Sequence, residues 1–207
     1  IRDRNTYLGA SVELSPEDID PVLISSSSIT YLEGYLWDRP GAKKALRQAA
    51  SEAHMAGRKV AFTLSDSSCV QRWREEFLDL IKSWVHILFA NEAEITMLYQ
   101  TSNLVEAVQQ VRDHCEISAL TLSEKGSLVV HGNKVHVIDS EPAKNVVDTT
   151  GAGDLYAAGL LFGLTQGKDL YTCGRMGSIA AAEVISHFGA RPEISLKDLF
   201  TQRLKHT

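Results

Sequence analysis

The chain has 207 residues, of which 44% are hydrophobic and 23% charged, and its formal net charge is −5 at pH 7. This composition excludes a disordered chain, and it predicts no nucleic-acid or membrane partner, because such surfaces are bound by clustered Lys and Arg on a basic background. No run of residues approaches the roughly 20 apolar positions of a membrane span, so the expected partner is a small molecule.

The cysteines and the first residue give two further expectations. Three cysteines, widely spaced and without a CxxC pattern, predict neither a disulfide framework nor a zinc site. Reduced thiols of this kind fit a cytoplasmic protein. The sequence begins with Ile1 rather than an initiating Met, so we expect a piece of a longer protein.

Short apolar or β-branched runs alternate with segments of helical spacing in the first part of the chain. This alternation predicts an α/β fold, with a mostly parallel sheet flanked by helices on both faces and ligands at the carboxyl ends of the strands. We expect one such domain over residues 1–207. The predicted strands are 21–29, 59–64, 85–90 and 117–122, and the predicted helices are 42–55, 70–83, 92–99 and 104–114.

The second part of the chain predicts a hairpin and three helices. Residues 127–130 and 134–138 alternate around His131-Gly132-Asn133, which is typical of a hairpin at the edge of a sheet. The helices are expected at 154–164, 169–187 and 196–204.

A glycine-containing loop, DTTGAGD, precedes the helix at 154–164. Gly151, Ala152 and Gly153 allow close backbone approach, and free N–H groups at a helix start favour an anion. The alternative is an ordinary glycine turn with Asp154 as an acidic residue in the first helical turn. If the anion is a phosphate, a carboxylate beside it has a chemical role: Asp154 would accept the proton of a hydroxyl group that attacks a terminal phosphoryl group.

The loop from Asp148 to Asp154, together with the following DLYAAGLLFGL, resembles the signature of the PfkB carbohydrate kinase family, also called ribokinase-like. The resemblance implies ATP-dependent phosphoryl transfer to a primary hydroxyl group of a nucleoside or sugar, with ATP and Mg²⁺ as cofactors. It implies that Asp154 is the catalytic base and that Gly151, Ala152 and Gly153 form the anion hole. The phrases TYLGA, YLEGYLWD and AAAEVISHFGARPE look most like bacterial adenosine kinase and sugar kinase members, which favours adenosine as the acceptor.

The same resemblance assigns cation-binding residues. Asn91 and Glu94 match the family's Asn-x-x-Glu motif, which helps to place Mg²⁺ and its waters. A helix N-cap followed by acidic residues is the alternative for this motif. Asp148 is expected to shape the glycine loop, and it is the residue that the resemblance connects with a monovalent cation such as K⁺.

Two further segments resemble the nucleotide site of the family. Thr121, Ser123 and Gly126 lie in a turn after a predicted strand, where relatives usually carry Gly in place of Ser123. An ordinary hairpin turn is the alternative. Ser178 and Ala181 lie in a segment resembling the one that flanks the adenine, although a close-packed helix explains the same residues.

The chain also departs from the family pattern. Arg2-Asp3-Arg4 stands where relatives often carry Arg-Thr-Met or Arg-Ser-Met. Three features of the family are not found: the N-terminal strands with the substrate-binding Asp, the Gly-Gly motif and the β lid. The chain therefore resembles the C-terminal part of the family, and it is expected to be a poor kinase alone. Relatives dimerise through the lid, so the resemblance also allows a homodimer. The rival hypothesis is a non-catalytic nucleotide-binding module of the same fold, with a regulatory or assembly role.

Overall fold

The computed structural model describes residues 8–143 and 145–204; the Arg2-Asp3-Arg4 stretch therefore lies outside the described residues. The strands of the sheet are β1 (Ile29–Glu33), β2 (Lys59–Thr63), β3 (Ile87–Asn91), β4 (Ile117–Thr121), β5 (Ser127–His131) and β6 (Lys134–Ile138). The helices are α1 (Pro21–Ser26), α2 (Pro40–Met55), α3 (Ser67–Trp84), α4 (Glu92–Leu98), α5 (Leu104–Arg112), α6 (Ala152–Thr165), α7 (Leu170–Val184) and α8 (Leu196–Arg203).

The described strands form one six-stranded sheet in the order β1-β2-β3-β4-β5-β6. The first four strands are parallel, and β5 and β6 continue the sheet as an antiparallel hairpin. The predicted α/β fold with a mostly parallel sheet is confirmed. Because each parallel strand returns through a helix, the carboxyl ends of β1 to β4 lie along the same edge.

Alternate residues of the strands face two separate apolar layers. Val60 and Phe62 of β2 pack with Leu46 of α2 and Phe77 of α3 on one face, in a layer to which α4 and α5 also contribute. Ala61, between them in β2, belongs to the opposite layer, which contains residues of α6 and α7. This period of two places helices on both faces of the sheet, as the sequence predicts.

One predicted strand is wrong. Residues 21–26 of the predicted strand 21–29 form α1, because Pro21 occupies the first helical position and the Asp20 side chain accepts hydrogen bonds from the backbone N–H groups of Val22 and Leu23, at 2.8 and 3.2 Å. The strand starts later, at Ile29, and ends at Glu33, with buried and half-buried residues alternating along it. Capping chemistry thus outweighs the β-branched composition of this stretch.

The remaining elements match the predictions within a few residues, and the differences follow from caps. α3 starts at Ser67, three residues before its predicted start, because the Asp66 carboxylate accepts from the N–H group of Cys69 at 2.7 Å. α7 is capped in the same way by Asp169. No helix among residues 8–143 and 145–204 is long and apolar enough to cross a membrane.

Candidate active site

Polar side chains meet at the carboxyl edge of the parallel strands. β1 ends at Glu33 and β2 at Thr63, which are direct partners in the register. β3 ends at Asn91, which is paired with Thr121 at the end of β4. Four neighbouring strands therefore bring a carboxylate, an amide and two hydroxyl groups to one edge, which is where open α/β sheets bind ligands.

The glycine loop caps the start of α6 beside this edge. Gly151 is the N-cap residue with a left-handed φ of +82°, and a Cβ atom at this position would lie 2.8 Å from the Cβ of Ala190. The helix starts at Ala152, two residues before its predicted start. The N–H group of Leu155 makes the first i→i−4 bond, to Gly151, and the N–H group of Ala152 donates to the carbonyl of Thr149 at 3.3 Å. Helix geometry therefore leaves the N–H groups of Gly153 and Asp154 available to an anion.

Gly153 borders open space. A Cβ atom built on Gly153 has no neighbour within 4 Å, in contrast to Gly151. On the other side of the loop, the Asp148 carboxylate accepts from the N–H and the hydroxyl group of Thr150, at 3.0 and 2.8 Å. The loop is thus held closed at one end and is open above the first turn of α6.

Asp154 lies exposed in that first turn, and its carboxyl group is within electrostatic range of the strand ends. Desolvation by the surrounding protein raises the pKa of Asp154 above its ordinary value of 3.8. The pKa of Glu33 is also raised, first by burial and then by the negative charge of Asp154. The charge of Asp154 therefore disfavours ionisation of Glu33, which indicates that the Glu33 carboxylate faces the region of Asp154.

Tyr31 lies beneath these carboxylates. Burial, followed by the charges of Glu33, Asp154 and Glu94, raises the pKa of its phenol group well above the ordinary range. Its ring packs edge-on against Phe89 of β3, with 6.1 Å between the ring centroids. The phenol therefore stays protonated and uncharged at the base of the site.

Asn91 and Glu94 form a reciprocal capping box at the start of α4. The Asn91 side chain accepts from the N–H of Glu94 at 2.9 Å, and the Glu94 carboxylate accepts from the backbone N–H and the side-chain amide of Asn91, at 3.0 and 2.7 Å. Glu94 is 5% exposed. Asn91 and Glu94 therefore form the helix N-cap that was the alternative for this motif. A cation held by this pair would be bound through water rather than directly.

The turn after β4 has a strained backbone. Ser123 has a left-handed φ of +56° and Gly126 has φ +90°. A Cβ atom on Gly126 would lie 2.0 Å from the carbonyl oxygen of Ile138, so only glycine fits there. The turn closes through a bond of 2.8 Å from the N–H of Leu122 to the Gly126 carbonyl. Thr121, half-buried at the strand end, stands next to this turn.

Ser178 and Ala181 lie on α7, and Ser178 has backbone partners. Its hydroxyl group donates to the carbonyl of Asp139 at 3.1 Å and accepts from the N–H of Glu141 at 2.8 Å. These bonds hold the segment that leads from β6 to the glycine loop. Ala181 packs, half-buried, against the apolar layer under the sheet. The nucleotide role of both residues stays a prediction.

Glu33 and Tyr31 are site residues that the sequence analysis missed. The predicted strand at 21–29 ended before both of them, so neither was placed at a strand end. The signal that could have found them is ITYLEG, an alternating run in which an acidic residue is followed by glycine. Two surface grooves, of about 520 and 350 Å³, lie elsewhere: one near Arg74 and Met97, the other at the amino ends of the strands beside Lys59.

Comparison with known proteins gives a family match over nearly the whole chain: the family described as pfkB family carbohydrate kinase matches residues 2–196. An uncharacterized sugar kinase of Archaeoglobus fulgidus is 38% identical over 105 residues, which cover 51% of this chain and 42% of that protein.

Two solved structures are similar over most of the chain. The adenosine kinase of Sinorhizobium meliloti is 50% identical with a TM-score of 0.93, and a probable sugar kinase of Rhizobium etli is 48% identical with a TM-score of 0.94. Each match covers 96% of this chain and 61% of the other. The chain therefore spans about three fifths of the length of these relatives.

Proposed function

The chain belongs to the pfkB family of carbohydrate kinases, and we propose that it transfers the γ-phosphoryl group of MgATP to a primary hydroxyl group of a nucleoside or sugar. The observation that carries the proposal is the position of Asp154 in the first turn of α6, next to Gly153, which borders open space, and within electrostatic range of Glu33 at the end of β1. This position supports a proton acceptor beside an anion site.

The proposed mechanism assigns a step to each part of the loop. The acceptor hydroxyl group is held by Asp154, which takes its proton as the oxygen attacks the γ-phosphorus and the bond to the β-phosphate oxygen breaks. The N–H groups at residues 151–153 stabilise the charge on the phosphoryl oxygens during transfer. Glu33, whose pKa responds to Asp154, is proposed to face the acceptor.

The residues around the phosphate site also fit the cofactors. Asn91 and Glu94 supply the amide and carboxylate oxygens that suit Mg²⁺ held through waters, and when bound the ion neutralises charge on the phosphates. No cluster of three or more His, Cys, Asp or Glu side chains suited to a metal occurs in the part of the chain that the structure describes. Thr121, Ser123, Gly126, Ser178 and Ala181 are proposed to lie along the nucleotide.

Three finer assignments are part of the proposal. Adenosine is favoured as the acceptor because the Sinorhizobium relative at 50% identity is an adenosine kinase. Asp148 is proposed as a ligand of K⁺, which predicts tighter MgATP binding in potassium than in Tris buffer. A homodimer is proposed for the protein, and gel filtration that gives a clean monomer would contradict it.

Calorimetric titration of the chain with MgATP tests the proposal. We expect saturable binding at one site, lost in Gly153→Leu and kept in the control Ala158→Leu, which adds the same side chain at an exposed position of the same helix. Transfer of labelled phosphate to adenosine and ribose is the second measurement. The rival non-catalytic module would bind MgATP and transfer nothing, and the absence of binding in the wild type would contradict the anion site itself.

A further inference from the structure

A buried carboxylate ties together the loop that follows α7. Glu183 lies in the last turn of α7, and its side chain is 6% exposed. Its Oε1 atom accepts from the backbone N–H of Glu193 at 2.9 Å and from Nε2 of His187 at 3.2 Å. One carboxylate oxygen therefore joins both ends of the segment from His187 to Glu193, which we call the α7 loop.

The α7 loop and the end of α7 support the glycine loop on both sides. Ala190, within the α7 loop, lies so close to Gly151 that a methyl group there would come within 2.8 Å of the Ala190 Cβ. The carbonyl of Ile185 accepts from the N–H groups of Val147 and Asp148, at 2.8 and 3.4 Å. A shift of the α7 loop would therefore move the surface against which the N-cap of α6 is seated.

In its protonated form, His187 supplies a positive charge for the buried carboxylate. Its Nε2 atom faces Glu183, and its Nδ1 atom lies 3.2 Å from the carbonyl oxygen of Phe188 and 3.8 Å from the Glu193 carboxylate. Only the imidazolium form carries a proton on both nitrogens and can donate to acceptors on both sides. A buried carboxylate is costly unless it is paired and hydrogen-bonded, so the protonated form of His187 stabilises the closure.

The direction of the pH dependence follows from these contacts. Among the described residues, the charged groups that contact His187 are Glu183 of α7 and Glu193 of the α7 loop. The carbonyl of Phe188 and then these two carboxylates raise the pKa of His187 above its ordinary 6.5. A raised pKa in the folded state means that the stabilisation contributed by the imidazolium is present below pH 6.5 and is lost as the pH rises through the folded value.

We propose that Glu183, with protonated His187, is a positioning residue for the anion-binding loop: it holds the α7 loop against Gly151 and thereby keeps the N–H groups of α6 aligned for phosphate. This inference rests on the proposed function, which supplies the phosphate. The proposal predicts that MgATP affinity depends on pH through Glu183 and His187, which are not among the reacting groups.

The test compares Glu183→Gln, Glu183→Ala and the control Glu116→Gln, a glutamate exposed before β4 at the opposite end of the sheet. The first measurement is amide hydrogen exchange at Val147, Asp148 and Glu193, which needs no nucleotide. The second is the dissociation constant for MgATP at pH 6 and pH 8.5. Glu183→Ala removes the acceptor, whereas Glu183→Gln keeps an oxygen for the Glu193 N–H group and removes the charge that favours imidazolium.

In Glu183→Ala we expect exchange at Glu193 and Val147 to accelerate about tenfold or more and MgATP affinity to fall by a similar factor, since a hydrogen bond to a charged group is lost. In Glu183→Gln we expect exchange at pH 6 close to that of the wild type. We also expect this variant to bind MgATP with the same affinity at pH 6 and pH 8.5, whereas the wild type should bind more tightly at pH 6. Glu116→Gln should match the wild type in both measurements.

Acceleration at Glu193 with unchanged exchange at Val147 would overturn the proposal, because the closure would then be local to the α7 loop. An unchanged pH difference in Glu183→Gln would also overturn it, and this variant decides the matter if Glu183→Ala fails to fold. If the wild type binds no MgATP, the proposed function fails, while the exchange measurements still decide whether Glu183 positions the loop.

Discussion

Alanine substitution at the two glycines of the anion loop should have opposite effects on stability. Gly151 has φ +82°, and its added Cβ would lie 2.8 Å from the Cβ of Ala190. The left-handed conformation costs a non-glycine residue about 1–2 kcal/mol, and overpacking adds about 1–3 kcal/mol. Gly153 lies in the first turn of α6 with no neighbour within 4 Å, so Ala there should stabilise the chain by about 0.4–1 kcal/mol through the unfolded state.

Thermal unfolding and MgATP titration of both variants test this reasoning. For a chain of this size, 1 kcal/mol shifts the melting temperature by about 2–4 °C, so Gly151→Ala should lower it by about 4 °C or more, and Gly153→Ala should leave it unchanged or slightly raised. Under the proposed function the added methyl group would stand where phosphate oxygens approach the loop, so Gly153→Ala should still weaken MgATP binding about tenfold, the effect of about 1.4 kcal/mol. Equal destabilisation by both variants, or full binding by Gly153→Ala, would refute the reasoning.

The remaining predictions concern the proposed base, Asp154, and the turn after β4. Asp154→Asn should lower the rate of phosphoryl transfer by about 10²–10⁴-fold with little change in MgATP affinity, because an amide cannot take the proton; equal rates in a single-turnover assay would contradict the role of base. In the wild type the rate should fall as the pH falls through the raised pKa of Asp154, and a profile that stays flat down to pH 4 would argue against it. Gly126→Ala should lose more than about 3 kcal/mol in urea unfolding, from the left-handed φ and the clash with the Ile138 carbonyl, while Ser123→Gly should gain up to about 1 kcal/mol by relieving its φ of +56°; a loss in Ser123→Gly would contradict this account.

The sequence predicted the sheet well where hydrophobic periodicity dominates. KVAFT, ILFAN and ISALT contain short buried runs, and they form β2, β3 and β4. The pattern failed at residues 21–26, where Asp20 and Pro21 start a helix. Caps act through single side chains on local N–H groups, so a helix of six residues leaves almost no periodic signal.

The candidate site was predictable in its motifs and not in its contacts. Gly151, Ala152, Gly153 and Asp154 form the loop and helix start that their order predicts. The capping box of Asn91 and Glu94 was one of two open interpretations, and only coordinates show that their side chains bond each other. Glu33 belongs to no motif, and its relation to Asp154 exists because β1 and α6 meet in space.

By itself the sequence determined the α/β class, the family resemblance and the residues of the glycine loop, because these depend on local spacing and on residue type. The tertiary structure decided which segments lie against that loop. Ala190 reaches Gly151, which lies far from it along the chain, and Glu183 reaches Glu193 across the α7 loop. Such contacts depend on how α6 and α7 pack on the sheet, and no local pattern in the sequence encodes their distances or the burial that sets the charges of the site.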